Sequence, residues 1–372
     1  MIISKNILSL KDFFWIVGVL SFPFYFFASG GIQISTIFLL MAALCEINKL
    51  NFNDKFYILV KNRILPLLFF LLYALLITLV WLIIIRDSSI LLFPLIYVFD
   101  FFILFSLCLR LTKDDGFVNF FAYLIVFSVV FQFLLSFLYS SGSYRGTVFF
   151  NNPNQLGYFS LLTAALITIF VKHKYISNIY YIVGMICCIW LAQISLSKSA
   201  MLSGILLLVY GVITNIKTLI IVTVLVICFI FFVGESSLLL ERFDIIQDRL
   251  GGIGQDSDDN AEGRGYDRIW LQPEMLLLGA SEGAVYRWDT FLVGFEMHST
   301  WGTILFSYGV FGLICWLYFL FKVGPSNGLV TLIPLLSIFA YGITHNGLRF
   351  VYFWFFMAIL VFISIRSKKG IE

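Results

Sequence analysis

The chain has 372 residues, 61% of them hydrophobic and 19% aromatic, with only 12% charged and a mean hydropathy of +0.99. Soluble domains carry roughly a quarter charged residues, so a water-soluble globular enzyme is excluded and a polytopic membrane protein is expected. A net charge of +3 is too small to mark a nucleic-acid partner, and none is expected.

In chain order, twelve apolar segments stand out: 13–28, 32–45, 64–85, 90–109, 116–139, 156–171, 179–194, 200–214, 219–233, 301–321, 329–342 and 351–365. A span needs about 20 apolar residues, or fewer with snorkelling flanks. Backbone amides cannot stay unpaired in lipid, so each segment is expected as a helix. The predicted fold is an all-α membrane protein of about 12 transmembrane helices in three parts. Residues 1–233 hold the first nine helices with short loops, 234–298 form one long polar loop, and 299–372 hold the last three helices and the C-terminus. The first apolar run has no small-residue cleavage site after it and reads as a retained span. Cys45, Cys108, Cys187, Cys188, Cys228 and Cys315 all fall inside apolar runs, so neither disulfides nor a thiolate metal site is expected.

Basic residues set the orientation. With both ends in the cytoplasm, that side holds fifteen of the 24 basic residues, among them Lys55, Lys61, Arg63 and Arg110. The short segments of the other side hold four: Arg86, Arg145, Lys198 and Arg349. Four polar segments then share the outer face: 144–155, 195–199, the long loop and 344–349.

Arg145 precedes Asn151-Asn152-Pro153-Asn154-Gln155, turn chemistry suited to a helix start. Beside a helix N-terminus it makes an anion site; as an interfacial residue it snorkels to lipid phosphate instead. Lys198 lies among Ser195, Ser197 and Ser199, either a phosphate-binding cluster or a plain turn. Asp100 lies mid-span and reads as a structural polar contact facing the inner half. The long loop has 13 Asp or Glu against five Arg, so any phosphate site in it must be local. Arg264, Arg268 and Arg287 are its candidates, because a guanidinium grips phosphate bidentately. The run 256–262, after several glycines, reads as a flexible patch.

His298 is the sharpest single residue. It stands where the loop meets a span, and an imidazole takes a proton near neutral pH. His345, with Asn346 and Arg349, occupies the last outer turn, whereas His173 lies on the opposite side. No HExxH, paired CxxC or phosphate-binding glycine loop occurs, and two His in separate segments do not define a metal site. No cofactor or metal is expected.

These residues resemble a known pattern. His298-Ser299, nine residues, then Gly309-Val310-Phe311-Gly312 is similar to the signature of the O-antigen ligase and polymerase superfamily. Arg145-Gly146 with Asn152-Pro153-Asn154 looks like that family's early outer loop. Residues 195–200 look like its Ser-Arg-Gly/Ala turn, with Lys198 in place of the usual Arg. Arg268-Ile269-Trp270 and 279–283 look like its Arg/Trp and Gly-rich landmarks. The resemblance covers roughly residues 140–320 and the twelve-span plan.

It implies a glycosyltransferase-C-like bundle in the bacterial inner membrane, with cytoplasmic termini, one long periplasmic loop and a periplasmic active site. The implied reaction is a metal-independent, inverting transfer of glycan from undecaprenyl pyrophosphate onto another lipid-linked repeat unit. In that reaction His298 and Arg268 are catalytic, and Arg145, Lys198, Arg264, Arg287, His345 and Arg349 bind substrate. The implied partners are the undecaprenyl-pyrophosphate-linked oligosaccharide, the lipid bilayer and a chain-length regulator. Two other readings stay open. An O-antigen ligase would move the finished glycan onto lipid A-core with the same donor and motifs. A transporter or lipid-linked glycan flippase would favour broken spans and midplane charges.

Overall fold

The computed structural model describes residues 9–27, 32–48, 50–139, 145–213, 217, 219–224, 244–249, 251–252, 260–288 and 296–368. Among them the regular structure is helical, with no strand. The helices are α1 (Leu10–Ser21), α2 (Ile34–Ile47), α3 (Lys55–Ile85), α4 (Leu92–Lys113), α5 (Asp115–Leu138), α6 (Pro153–Lys172), α7 (Asn178–Ser195) and α8 (Lys198–Ile213). Two short ones, α9 (Asp267–Leu271) and α10 (Met275–Leu278), precede α11 (Thr300–Val323), α12 (Leu329–Thr344) and α13 (Val351–Lys368).

Six helices are long and apolar enough to cross a membrane: α3, α4 with its preceding turn, α5, α6, α7, and α11 with its following turn. Helices α2, α8, α12 and α13 are apolar but shorter. The chain is thus a helical, multi-pass membrane protein. Helix occurs at every expected segment, for the ninth over 219–224. The rest of that segment, and most of the patch at 256–262, lie outside the described residues.

Short polar side chains start these helices by accepting otherwise unpaired amides. Asp114 accepts Phe117 N at 3.1 Å to cap α5, and Ser299 accepts Gly302 N at 3.0 Å to cap α11. Asn152 accepts Gln155 N at 2.9 Å to cap α6, whose first residue is Pro153.

The bundle is organised around α13, in which every side chain from Val351 to Ile365 is buried. Phe121 of α5 meets the Phe355 ring edge-on at 5.6 Å, and Trp316 of α11 stacks on Phe353 at 6.0 Å. Lipid offers helices no hydrophobic reason to associate, so such close packing holds them together. Helix α3 instead leaves Phe69, Leu72, Leu76, Leu79 and Ile83 exposed, a face suited to lipid tails.

Charge gathers at one end of the bundle. Arg110 pairs with Asp12, Glu46 and Asp114 at 3.1–3.3 Å, and Lys113 with Asp54 at 2.6 Å. Arg63 donates to Lys322 O and Ser364 O, both at 3.1 Å. These bonds join the ends of seven helices, because the unpaired carbonyls and side-chain acids there suit cations.

Helix α11 is interrupted. Gly309 holds φ +63° and ψ −173°, which opens the hydrogen-bond ladder. The carbonyls of Phe306 and Ser307 accept Ala280 N and Ser281 N instead, each at 2.9 Å. Tyr73 OH and Trp81 Nε1 of α3 bond Leu278 O and Gly279 O at 2.8 and 2.9 Å. The long polar loop therefore re-enters the bundle over 279–283, where protein groups satisfy its backbone.

Candidate functional site

At the end of the bundle opposite the Arg110 cluster, the polar segments are bonded to one another. Gly146 N donates to Ile194 O at 2.9 Å, and Ser199 Oγ lies 3.1 Å from Thr344 Oγ1. Arg264 Nη1 donates to Thr344 O at 2.7 Å, and Arg264 O accepts His298 N at 2.9 Å. Thr300 N donates to His345 O at 3.1 Å. Ser299, fully buried, does more than cap α11. Its Oγ also bonds Gly342 O at 3.1 Å and lies 2.6 Å from Tyr266 OH. That contact fixes the start of α11 against the end of α12 and places His298 at the junction.

Between these segments lies a cavity of about 370 Å³, within the range of small-molecule sites. Its wall carries His298, His345, Glu296 and Arg349, together with Asn152, Asn154 and Gln155 from the start of α6. His345 Nδ1 lies 2.9 Å from Thr344 Oγ1. The His345 ring stacks on Tyr341 at 4.3 Å, and Tyr341 stacks on Tyr158 at 4.5 Å. Arg349 forms an ion pair with Glu296 and lies 5.0 Å from the Phe93 ring centroid. Burial works against the Arg349 charge, but the Glu282 and Glu296 carboxylates outweigh it and hold the guanidinium above its ordinary pKa.

Glu282 is a buried carboxyl behind this wall. Tyr97 OH and Tyr308 OH donate to its Oε2, the latter at 3.1 Å, and Asn346 Nδ2 reaches its Oε1 at 3.3 Å. Burial pushes the Glu282 carboxyl up, with Arg349 opposing. Arg268, only 4% exposed, lines a smaller space with Glu282 and Thr303. Glu296, Met297 and Asn346 belong to both walls. Desolvation lowers the Arg268 pKa, and Asp267 and Glu296 oppose it.

The eight residues singled out in the sequence therefore separate into groups. His298, His345 and Arg349 line the main cavity, and Arg268 lines the inner one. Arg145 and Arg264 are bonded to residues around it rather than lining it. Lys198 Nζ donates to Gly252 O at 3.0 Å and ties α8 to the long loop. Arg287 lies between the Trp81 and Trp288 rings at 4.8 and 4.5 Å and donates to Ala280 O and Ala284 O at 2.9 and 3.1 Å. Burial lowers its pKa to about 10, and it fastens the re-entrant segment without lining either cavity.

Glu282, Glu296 and Asn346 were not singled out by sequence. In a loop rich in acids, Glu282 reads as one solvated acid among many. The available signal was local: no basic residue stands within four positions of it, and its neighbours are small or apolar. Asp100, expected as a structural polar contact within a span, lies inside α4. It is buried and shares a cavity of about 30 Å³ with Gln33, Thr36 and Arg349. Helix α4 starts at the site end, and Asp100 is eight residues along it, about 12 Å.

Among the described residues, no three His, Cys, Asp or Glu side chains converge as a metal ligand set. What the cavity brings together is a pair of imidazoles, a carboxylate and a guanidinium, with a second guanidinium and a buried carboxyl behind. Such a set can orient a hydroxyl, accept its proton and balance negative charge. No protein-family model and no curated protein sequence matches the chain.

Proposed function

We propose that this protein is a membrane glycosyltransferase of the O-antigen polymerase type, acting at the periplasmic face of the bacterial inner membrane. The observation that carries this reading is the placement of His298 and Arg349 on one cavity of about 370 Å³ at the end of a helical bundle. The bias of basic residues toward the other end supports a periplasmic cavity and cytoplasmic termini.

In the proposed reaction an acceptor hydroxyl attacks the anomeric carbon of a glycan held on undecaprenyl pyrophosphate. A carbon–oxygen bond forms, the bond to the pyrophosphate oxygen breaks, and attack from the opposite face inverts the centre. His298 takes the hydroxyl proton. Arg349 and Arg268 balance the charge that grows on the leaving pyrophosphate. Glu296 pairs with Arg349 and, together with the buried Glu282, favours its charge. An undecaprenyl carrier reaches such a site sideways from the lipid, which suits a cavity at the bundle end.

Two measurements test the reading. With purified protein in lipid nanodiscs and an undecaprenyl-pyrophosphate repeat unit, His298→Ala is expected to lose about 10²–10⁴-fold in turnover, the range for a lost general base. Full turnover in that variant removes His298 from the mechanism. In a deletion strain, lipopolysaccharide with a single repeat per core is the polymerase outcome. Bare core with accumulated lipid-linked polymer would instead mean a ligase.

A further inference from the structure

Asn154 is held by a guanidinium. Arg145 Nη2 donates to Asn154 Oδ1 at 2.7 Å while Arg145 Nε donates to Ser195 O at 3.0 Å. A guanidinium has donors only, so the amide oxygen must face it and the NH2 must occupy the other edge of the amide. Asn154 lines the main cavity and Arg145 does not. Asn152, also on the cavity wall, is fixed in the same sense, because its Oδ1 accepts Gln155 N at 2.9 Å. Two amides of the wall thus have their oxygens engaged by the protein, which leaves NH2 groups for what enters.

The turn that carries them is braced. Asn154 O accepts Tyr341 OH at 2.9 Å, and the Tyr341 ring is stacked between Tyr158 and His345. The amides are therefore preorganised as hydrogen-bond donors without a formal charge. A pyrophosphate calls for cations, and the cation on this wall is Arg349. Neutral donors match neutral acceptors: the hydroxyl, ring and N-acetyl oxygens of a sugar.

We propose that Asn154 and Asn152 form a subsite for a sugar ring of the acceptor glycan, and that Arg145 is a positioning residue that sets the Asn154 amide. The identity of the ligand as the acceptor rests on the glycosyltransferase reading; the polarity of the contact rests on the Arg145–Asn154 geometry alone. Arg145, expected to bind anions, here organises a neutral donor.

The test uses the full chain in nanodiscs and two probes. One is the repeat-unit oligosaccharide released by mild acid from the surface polysaccharide of the strain that encodes the protein. The other is inorganic pyrophosphate. Asn154→Asp keeps the Arg145 contact and replaces the NH2 donor by an acceptor. Asn152→Asp keeps the helix cap and makes the same exchange, so it serves if the first variant misfolds. Each is expected to weaken oligosaccharide binding about tenfold, the effect of one lost hydrogen bond with an oxygen left facing an oxygen, and to leave pyrophosphate within about twofold. In turnover the acceptor KM rises while the donor KM and kcat hold. Arg145→Lys is expected to weaken oligosaccharide binding by about threefold alone and to add nothing in the Asn154→Asp background.

Wild-type oligosaccharide affinity in both Asp variants overturns the subsite, as does an equal loss for pyrophosphate or a rise in the donor KM. A protein that binds the oligosaccharide through Asn154 yet forms no glycosidic bond leaves the subsite standing and sinks the transferase reading. A protein that polymerises lipid-linked substrate but binds no free oligosaccharide does the reverse.

Discussion

The backbones of Gly279 and Gly309 lie directly against each other. A Cβ added to Gly309 would come within 2.6 Å of Leu277 O, and one added to Gly279 within 2.5 Å of Ser307 O. Both residues hold positive φ, +101° at Gly279 and +63° at Gly309. The contact lets the re-entrant segment dock into the opened ladder of α11 and carries Ser281 and Glu282 into the bundle. A continuous helix at Gly309 would engage the Phe306 and Ser307 carbonyls that accept Ala280 N and Ser281 N.

Gly309→Ala is therefore expected to destabilise strongly. Its positive φ with extended ψ is a conformation open essentially to glycine and costs an alanine about 1–3 kcal/mol, and the overlap with Leu277 O adds to it. Gly204→Ala is the control, because nothing lies within 4 Å of an added Cβ there. Thermal unfolding in detergent should show a lower melting point for Gly309→Ala and none for Gly204→Ala. Equal melting points for the two would contradict the packing described.

Arg287 fastens the re-entrant turn. Its planar guanidinium fills the slot between Trp81 and Trp288 and bonds two carbonyls across the turn. Arg287→Ala should lower the melting temperature while turnover per folded molecule stays within about twofold. Arg287→Lys should not restore stability, since an ammonium lacks the plane and the fork. Loss of turnover in a variant that melts like wild type would place Arg287 at the substrate after all.

Arg349 differs in kind. It lines the cavity and is paired with Glu296. Arg349→Lys keeps the charge but loses the bidentate geometry, and turnover is expected to fall about 10²-fold, as when one preorganised donor is removed. A lysine variant with wild-type turnover would reduce Arg349 to a source of field alone.

Glu282 gives a pH signature. Burial raises its carboxyl above the ordinary 4.5. The folded state then holds its proton more tightly than the unfolded chain, so this contribution to stability is present below 4.5 and is lost as pH rises through the raised value. Glu282→Gln stays neutral and still accepts from Tyr97 and Tyr308. Its melting temperature should fall less than wild type as pH rises above 4.5. Parallel profiles for the two proteins would show that Glu282 does not titrate in that range.

Much of the architecture is legible in composition. The segment at 153–172 announces itself through Asn152, Pro153 and a long apolar run, because capping and burial in lipid are local demands. The interruption at Gly309 was not legible: flanking Ser307, Tyr308 and Val310 read as continuous helix, and the reason for the break is a loop thirty residues earlier. At the site, His298 and Arg349 could be named from position, yet the carboxylates that act on Arg349 could not. An acid in a polar loop looks the same whether water or an arginine will face it.

Membrane residence, helical spans and the positions of the polar segments are written in local composition, since long unbroken apolar runs pair their amides internally as helices and charge is costly in hydrocarbon. The contacts of each polar residue came from the packing of distant segments. Arg145 and Arg287 are alike in sequence terms, but one orients an amide at the cavity and the other fastens a turn. That difference depends on which carbonyls and rings distant segments bring within about 3–5 Å, a distance over which hydrogen bonds and cation–ring contacts act and which no local pattern encodes.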